Sequence, residues 1–224
     1  MRPECCICGQ VAGDPDRDLL HRARGARTYE RWIPYESARL VVIPSIGALV
    51  AGHVLLCPRR HVRSAAMLDH GEATEMALAE ASLQGILAKR FGGPIQLFEH
   101  GDSASGSHVG CSVEHAHLHF VPSAPDLWPS IASDLPWTRL RGPLPDYVRG
   151  REYIRYRRGD GVWFVYAAER EAELPSQLLR RRFAEALGIA DEWNWRESTR
   201  LDVTARTMER LGGGPRSIAV PVDG

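Results

Sequence analysis

Three histidines alternate with small or apolar residues in the stretch EHAHLHFVP at residues 114–122. Imidazole is the side chain best suited to proton transfer, metal ligation or nucleophilic attack near neutral pH. Strict alternation is the period of a β-strand, so we expect His115, His117 and His119 to share one face of a strand. Ordinary side-chain packing is a poor explanation for three imidazoles on one face of a strand. The stretch therefore predicts a catalytic or metal-binding site.

Cys5 and Cys8 form a C-x-x-C pair, a spacing at which two thiolates can bind one metal ion. Such a pair needs two further ligands from elsewhere in the chain, and otherwise the cysteines are free thiols. The N-terminal residues lack the apolar core of a secretion signal. We therefore expect a cytoplasmic protein whose five cysteines are metal ligands, catalytic groups or buried thiols rather than disulfides.

Composition excludes several classes of function. The chain has 224 residues, enough for one large domain or for a domain with an extension. Its 28 basic and 28 acidic residues cancel, which argues against a broad nucleic-acid-binding surface. It contains no run of about 18 apolar residues, so we expect no membrane span.

The hydrophobic pattern of residues 1–122 predicts an α+β domain with a mainly antiparallel sheet. A helix is predicted to begin after Asp69, which forms a capping-box pattern with Glu72, and to stop at the Gly-Gly-Pro of residues 92–94. Residues 13–27 are interpreted as a loop. Strands are predicted at Thr28–Ile33, Ala38–Ile43, His53–Pro58 and Ile95–Glu99, before the histidine strand.

Residues 123–224 are predicted to be a C-terminal α/β extension packed on the first domain. It begins with a long proline-rich connection, followed by a hairpin and two helices. The predicted elements are Glu152–Arg157, Val162–Ala167, Pro175–Leu187 and Asp202–Leu211. Ser176, Gln177 and Arg180 fall at the start of the first helix, where they could bind an anion or simply cap the helix.

Two segments together resemble the histidine triad (HIT) superfamily of nucleotide hydrolases and transferases. The first is GHVLLCPRRH at residues 52–61, and the second, about fifty residues later, is GCSVEHAHLH at residues 110–119. The resemblance covers roughly residues 5–122 and implies that residues 1–122 form a HIT domain, with a HIT-like antiparallel sheet and packed helices. The segment PSQLLRR at residues 175–181 is similar to a tail found in some bacterial HIT-like proteins.

The resemblance implies an enzyme that cleaves at the α-phosphate of a nucleoside phosphate ester, anhydride or phosphoramidate. Dinucleoside polyphosphates and nucleotidylated small molecules are the expected substrates. In this chemistry His117 attacks the phosphorus, and water or another acceptor resolves the covalent nucleotidyl-imidazole intermediate. His119 would hydrogen-bond the phosphate or leaving-group oxygen, and His53 belongs to the supporting network.

The resemblance also implies a set of substrate contacts. Ser112 matches a position that contacts phosphate or the bridging oxygen. Cys111 stands where many members have glutamine, so it is either a spectator that makes room for a different leaving group or a participant. Ser45 stands where several relatives carry a ribose-binding Asp or Asn. The remaining candidates are Gly110 beside Cys111, Ile43 with Ile46 and Val50 in the base pocket or in the core, and His108 with His100 near phosphate or on an exposed loop.

A zinc-containing subset of the superfamily combines an N-terminal C-x-x-C with two histidines. One follows the Pro-basic-basic turn, and the other is the first triad histidine. The corresponding residues here are Cys5, Cys8, His61 and His115, and the resemblance implies a closed structural Cys₂His₂ zinc site. Because HIT domains usually pair, it also implies a homodimer.

Two other functions stay open at this stage. In one, His115, His117 and His119 bind a catalytic metal ion as in a metallohydrolase. In the other, the protein binds nucleotides without catalysis. Use of His115 in a Cys₂His₂ site would argue against the first, and intact His117 and His119 argue against the second.

Overall fold

A computed structural model describes residues 5–101, 113–169, 174–213 and 216–218. The helices in these ranges are α1 (Cys6–Ala12), α2 (Leu19–Arg24), α3 (His70–Phe91), α4 (Trp128–Ile131), α5 (Leu144–Val148), α6 (Leu178–Ala186) and α7 (Leu201–Leu211). The strands are β1 (Tyr35–Glu36), β2 (Leu40–Pro44), β3 (Val54–Pro58), β4 (Ile95–Gly101), β5 (Leu118–Pro122), β6 (Thr138–Arg139), β7 (Tyr153–Arg157), β8 (Trp163–Ala167) and β9 (Arg216–Ser217). Two short 3₁₀ turns lie at Ala65–Met67 and Ala190–Glu192.

All described strands join one sheet in the order β6-β8-β7-β4-β5-β3-β2-β1-β9. Neighbouring strands are antiparallel except for β1 and β9, which are parallel. The predicted α+β class with a mainly antiparallel sheet is therefore confirmed.

Both faces of the central sheet are covered, which is why β2 is apolar at successive positions. Leu40 and Val42 pack toward α3, whereas Val41 and Ile43 pack toward α1. In the same way Phe120 of β5 faces α3, and Val121 faces the side covered by α6. His119 shares the face of Val121 because side chains alternate along a strand. His119 thus lies on the side of the sheet opposite α3.

Helix α3 begins where the capping box was predicted. The Asp69 side chain accepts a hydrogen bond from the Glu72 N–H at 2.8 Å, and the Glu72 carboxylate accepts one from the Asp69 N–H at 3.1 Å. Each bond satisfies an N–H group that would otherwise lack a partner at the helix start. The helix ends at Gly92, whose φ of 76° is unfavourable for other residues.

The C-terminal extension continues the sheet of the first 122 residues. The β7–β8 hairpin is confirmed, and β7 pairs with β4 along its full length. Since β5 occupies the other edge of β4, a second copy of the chain cannot pair with β4. The division at residue 122 and the homodimer stay predictions.

Three local predictions are wrong. Residues 28–33 form no strand, and the Trp32 carbonyl instead accepts a hydrogen bond from the Gln10 side chain at 3.0 Å. The segment interpreted as a loop contains α2, which Asp18 caps by accepting the His21 N–H at 3.0 Å. The histidine strand begins only at Leu118.

The late start of the histidine strand has a local cause. The backbone bends at residues 113–115, where the His115 N–H donates to the Val113 carbonyl at 2.8 Å. The next N–H, that of Ala116, donates to the Val62 carbonyl at 2.7 Å rather than to a sheet partner. As a result His115 and His117 precede the strand, and of the three only His119 lies within it. No helix in the described ranges is both long and apolar enough to cross a membrane.

Candidate active site and metal centre

A pocket opens on the sheet face opposite α3, between the N-terminal helices and α6. His117 and His119 lie in its wall, beside the end of β2. Most of the remaining lining is apolar, a typical composition for a small-molecule site with a few polar groups. These lining residues include Ile7, Leu19, Leu20, Ile43, Ile46, Leu55, Phe98, Val113, Ile154 and Leu179.

His117 is held in one tautomer. Its Nδ1 lies 2.6 Å from the backbone carbonyl of His115, an acceptor only, so Nδ1 carries the proton and donates. The lone pair is therefore on Nε2, the other ring nitrogen. Burial lowers the pKa of His117, which keeps the ring neutral at pH 7. A neutral imidazole with a free Nε2 lone pair is a nucleophile.

A chain of hydrogen bonds orients His119. The Leu49 N–H donates to His53 Nδ1 at 3.1 Å, and because a backbone N–H can only donate, His53 must carry its proton on Nε2. That proton points at His119 Nδ1, 2.9 Å away. His119 then carries its own proton on Nε2. One backbone amide thus makes His119 a hydrogen-bond donor at the pocket.

Both members of this pair are kept neutral. Burial lowers the pKa of His53 well below its usual value, and the Arg180 guanidinium adds to this effect. Burial also lowers the pKa of His119 well below its usual value, with smaller contributions from His117 and His53. The tautomer chain therefore persists across the physiological pH range.

Acid should destabilise the fold through His53 and His119. The unfolded state takes up protons below a pH of about 6.5, while these folded histidines do not, so their contribution is present above that pH and is lost as the pH falls. We expect the free energy of unfolding to fall by about 2.7 kcal/mol per pH unit from this pair below a pH of about 6. Guanidinium unfolding of the His119→Asn variant should show about half of that slope. The control is His70→Asn, because His70 is exposed, and this variant should show the full dependence of the free energy of unfolding on pH. Equal pH dependence in both variants would contradict this account.

Four side chains converge behind the pocket and could hold a metal ion. The donor atoms of Cys5, Cys8, His61 and His115 lie within 4.8 Å of one another. His115 Nδ1 lies 3.5 Å from Cys5 Sγ and 3.6 Å from Cys8 Sγ, and His61 Nδ1 lies 3.4 Å from Cys8 Sγ. Tetrahedral zinc with bonds of about 2.0–2.3 Å would separate its ligand atoms by about 3.3–3.8 Å. The donor set therefore fits such an ion.

His115 links this cluster to His117. Its Nε2 donates to the Pro58 carbonyl at 2.8 Å, which leaves Nδ1 with a lone pair directed at the cysteines. Burial lowers the pKa of His115 to about 4, so the ring is neutral, as a metal ligand must be. The backbone carbonyl of the same residue holds His117 Nδ1. Any displacement of the cluster would therefore disturb the His117 ring.

The structure brings together some of the predicted substrate residues. Ile43, Ser45 and Ile46 line the pocket, and the Ser45 hydroxyl donates to the Ile46 carbonyl at 3.1 Å. His100 also lines it and contacts Glu152 through Nε2 at 2.7 Å. The other predicted contacts, His108, Gly110, Cys111 and Ser112, lie outside the described residues.

Residues 29–126 match the family model of the HIT domain. This part of the chain, less than half of its length, is therefore similar to the HIT domain. A bis(5'-adenosyl)-triphosphatase of Dictyostelium discoideum is 32% identical over 74 residues, which make up 33% of this chain and 48% of that protein. The chain thus spans about half the length of this curated relative.

Solved structures of other proteins align with lower identity. A protein of Streptococcus mutans UA159 is 23% identical, with 55% of this chain and 67% of that chain covered and a TM-score of 0.41. A member of the HIT family from Bacillus subtilis is 19% identical, with 53% and 72% covered and a TM-score of 0.40.

Parts of the pocket wall come from outside the matched HIT domain residues, and sequence reasoning missed most of them. Gln10, Leu19 and Leu20 from the N-terminal segment line the pocket, and Trp195 from the extension lines it as well. Leu19 and Leu20 carried a usable signal, since they are apolar residues inside a charged segment between the Asp18 cap and Gly25. Trp195 carried none, because only the fold brings it to the pocket.

Proposed function

We propose that this HIT protein is a nucleotide hydrolase or nucleotidyltransferase acting through a covalent nucleotidyl-His117 intermediate. The substrate is a nucleoside phosphate ester, anhydride or phosphoramidate, such as a dinucleoside polyphosphate or a nucleotidylated small molecule. The observation that carries the proposal is the tautomer of His117, which places a neutral Nε2 lone pair at the pocket.

Each step follows from the protonation states of the two histidines. His117 Nε2 bonds to the α-phosphorus while the bond from phosphorus to the leaving oxygen breaks, and the leaving group departs with the electron pair. Nδ1–H stays on the His115 carbonyl, so the adduct is an imidazolium, a good leaving group. His119 donates its Nε2–H to a phosphate or leaving-group oxygen. Water or another acceptor then bonds to phosphorus and gives up its proton to the departed leaving group or to solvent. The bond from phosphorus to Nε2 breaks at the same time, which releases the nucleotide and returns neutral His117.

The pocket suits the nucleoside part of such a substrate. Ile43, Ile46 and Leu55 offer an apolar surface to a base, and Ser45 beside them offers a hydroxyl to the sugar. His53 lies behind His119 and supports it without lining the pocket. Ser112, with Gly110, Cys111 and His108, is proposed to complete the phosphate contacts.

The metal that Cys5, Cys8, His61 and His115 would hold is proposed to be zinc with a structural role. Thiolate and imidazole donors in this ratio are typical of closed tetrahedral zinc sites. When bound, the ion would tie the N-terminus to the catalytic segment. With His115 used in this way, the three histidines of the triad have different roles. A cytoplasmic location and the lack of nucleic-acid binding stay predictions.

The stereochemical course at phosphorus tests the function. Two successive displacements at one phosphorus retain its configuration, whereas direct attack of a metal-bound water inverts it. We expect a nucleotide panel to reveal hydrolysis, and a substrate with a chiral α-phosphorothioate, cleaved in ¹⁸O-water, to react with retention. Inversion would favour the metallohydrolase, and no turnover of any substrate by the metal-loaded protein would favour a non-catalytic nucleotide-binding protein.

A further inference from the structure

The C-terminal extension places two polar side chains in the wall of the catalytic pocket. Gln177, which precedes α6, and Arg180 in its first turn line the pocket together with His117 and His119. Gln177 is 8% exposed and Arg180 is 4% exposed, so both are enclosed in this wall. The proposed chemistry at His117 uses neither residue.

Arg180 carries a buried positive charge that pairs with no carboxylate in the described part of the chain. Its Nη2 donates to the Gly47 carbonyl at 2.6 Å and its Nε to the Trp193 carbonyl at 3.2 Å. Within the ranges that the structure describes, it forms no ion pair with a carboxylate. Burial, reinforced by the nearby Arg200, lowers the pKa of Arg180 to about 10, as expected for an uncompensated cation. A cation buried in this way is costly unless an anion compensates it.

The surroundings of Arg180 add to the positive potential. Arg200 pairs with Glu192 at 3.0 Å, but this carboxylate is 44% exposed. Within the residues that the structure describes, Arg200 Nη1 is buried without a hydrogen-bond partner. The nine-residue helix α6 has no acidic residue in its first turn, and Gln177 makes no side-chain capping bond. The N-terminal end of this helix therefore favours an anion.

Gln177 provides a second, independent sign of a ligand. Asn194 Oδ1 accepts the Arg196 N–H at 3.2 Å, which identifies it as an oxygen, so the Gln177 atom 3.4 Å away must be the amide nitrogen. The Gln177 oxygen is then buried with no hydrogen-bond partner among the described residues. Buried polar atoms are normally satisfied. A hydroxyl or N–H group of a bound molecule would satisfy this one.

We propose that Arg180 and the first turn of α6 bind phosphate groups of the substrate beyond the one that His117 attacks. This inference rests on the proposed function and specifies its substrate class as nucleoside or dinucleoside polyphosphates, in preference to simple esters and phosphoramidates. The guanidinium is already oriented by the Gly47 and Trp193 carbonyls, so little ordering is needed when the anion binds. The C-terminal extension would thus select the leaving group for the HIT domain.

Binding of inorganic tripolyphosphate tests the subsite without requiring turnover. By calorimetry on metal-loaded protein, with metal content measured before and after because polyphosphate chelates metals, we expect Arg180→Gln to weaken binding about 10- to 100-fold. The matched control is Arg182→Gln. Arg182 lies on the same helix with 39% of its side chain exposed and pairs with Asp134 and Glu185. Its variant should bind as the unmodified protein does, and equal affinities in all three proteins would overturn the proposal.

Kinetics separate a phosphate contact from a structural role. Arg180→Gln should lower kcat/KM about 100-fold for a dinucleoside triphosphate and less than about 3-fold for a nucleoside phosphoramidate. Equal losses for both substrates would overturn the proposal. If no substrate is turned over, the proposed function fails while the calorimetry still tests the subsite.

If Arg180→Gln does not fold, Arg180→Lys tests whether the guanidinium binds the phosphate groups. Lysine keeps the charge but loses the planar fork of donors, so affinity for tripolyphosphate should fall about 10-fold. Turnover of the phosphoramidate should fall less than turnover of the dinucleoside triphosphate. Unchanged affinity in the folded lysine variant would contradict the proposal.

Discussion

Replacing His117 with glutamine should lower kcat/KM by about 10⁴-fold or more. Glutamine can keep an N–H donor near the His115 carbonyl, but its amide has no nucleophilic lone pair, so the covalent route is lost. Removal of a nucleophile in other enzymes that use covalent catalysis costs up to about 10⁶-fold. Rapid-quench experiments with labelled nucleotide should trap an acid-labile phosphoramidate on the unmodified protein and none on the variant.

The matched control for this experiment is His70→Gln. His70 is an exposed histidine at the start of α3, on the opposite side of the sheet from the pocket. Its variant should keep full activity and the trapped adduct. If His117→Gln retains activity within about 10-fold, or still traps nucleotide, His117 is not the nucleophile.

Loss of one cysteine from the metal cluster should affect both stability and catalysis. Cys8 is buried and lies within 3.6 Å of both histidine ligands, so Cys8→Ser should lower metal content from about one ion per chain to near zero. A ligand present at about 1,000 times its Kd stabilises a fold by about 4 kcal/mol, and we expect a loss of at least this size. Elemental analysis of untagged protein and guanidinium unfolding measure the two effects.

Catalysis should weaken in the same variant for a geometric reason. The His115 ring belongs to the metal cluster, while its carbonyl fixes the tautomer of His117. In addition, Ile7 and Gln10 of α1 line the pocket, and α1 starts beside the two cysteines. We therefore expect a higher KM and a lower kcat.

Cys6→Ser is the control for metal content. Cys6 is a neighbouring, partly buried cysteine outside the cluster, so its variant should keep one ion per chain. Stoichiometric metal in Cys8→Ser, or no metal in protein expressed with ample zinc, would contradict the metal site. If metal content falls but the free energy of unfolding does not, the predicted stabilising role of the ion is wrong, and the ion would only position His115.

The fold was predictable where local chemistry decides it. The capping box at Asp69 predicts the start of α3, and the alternating residues around the 158–161 turn predict the β7–β8 hairpin. The strand at Thr28–Ile33 was wrong because the Trp32 carbonyl bonds to Gln10, a residue on α1. Pairing with a distant side chain leaves no periodic signal in the sequence.

The candidate site was predictable only in part, for the same reason. The types and spacing of His53, His117 and His119 indicate the chemistry. Their protonation pattern, however, depends on the Leu49 N–H and the His115 carbonyl, and backbone groups have no sequence signature. Likewise, the expected shared strand face gave way to a bend at residues 113–115, because the Ala116 N–H bonds outside the sheet.

By itself the sequence indicated the resemblance to the HIT family, the α+β class and the set of histidines and cysteines, because these depend on residue type and short-range spacing. The tertiary structure alone brought Cys5 and Cys8 together with His61 and His115. Only the tertiary structure places α6 at the pocket, where Arg180 is buried and lines the wall together with His117 and His119. The physical reason is that burial and long-range contacts set the protonation state and tautomer of each side chain and its access to the pocket. The order of residues in the sequence does not contain this information. The alternating histidines therefore have different surroundings, because each contacts a different partner: the cysteines for His115, the His115 carbonyl for His117 and His53 for His119.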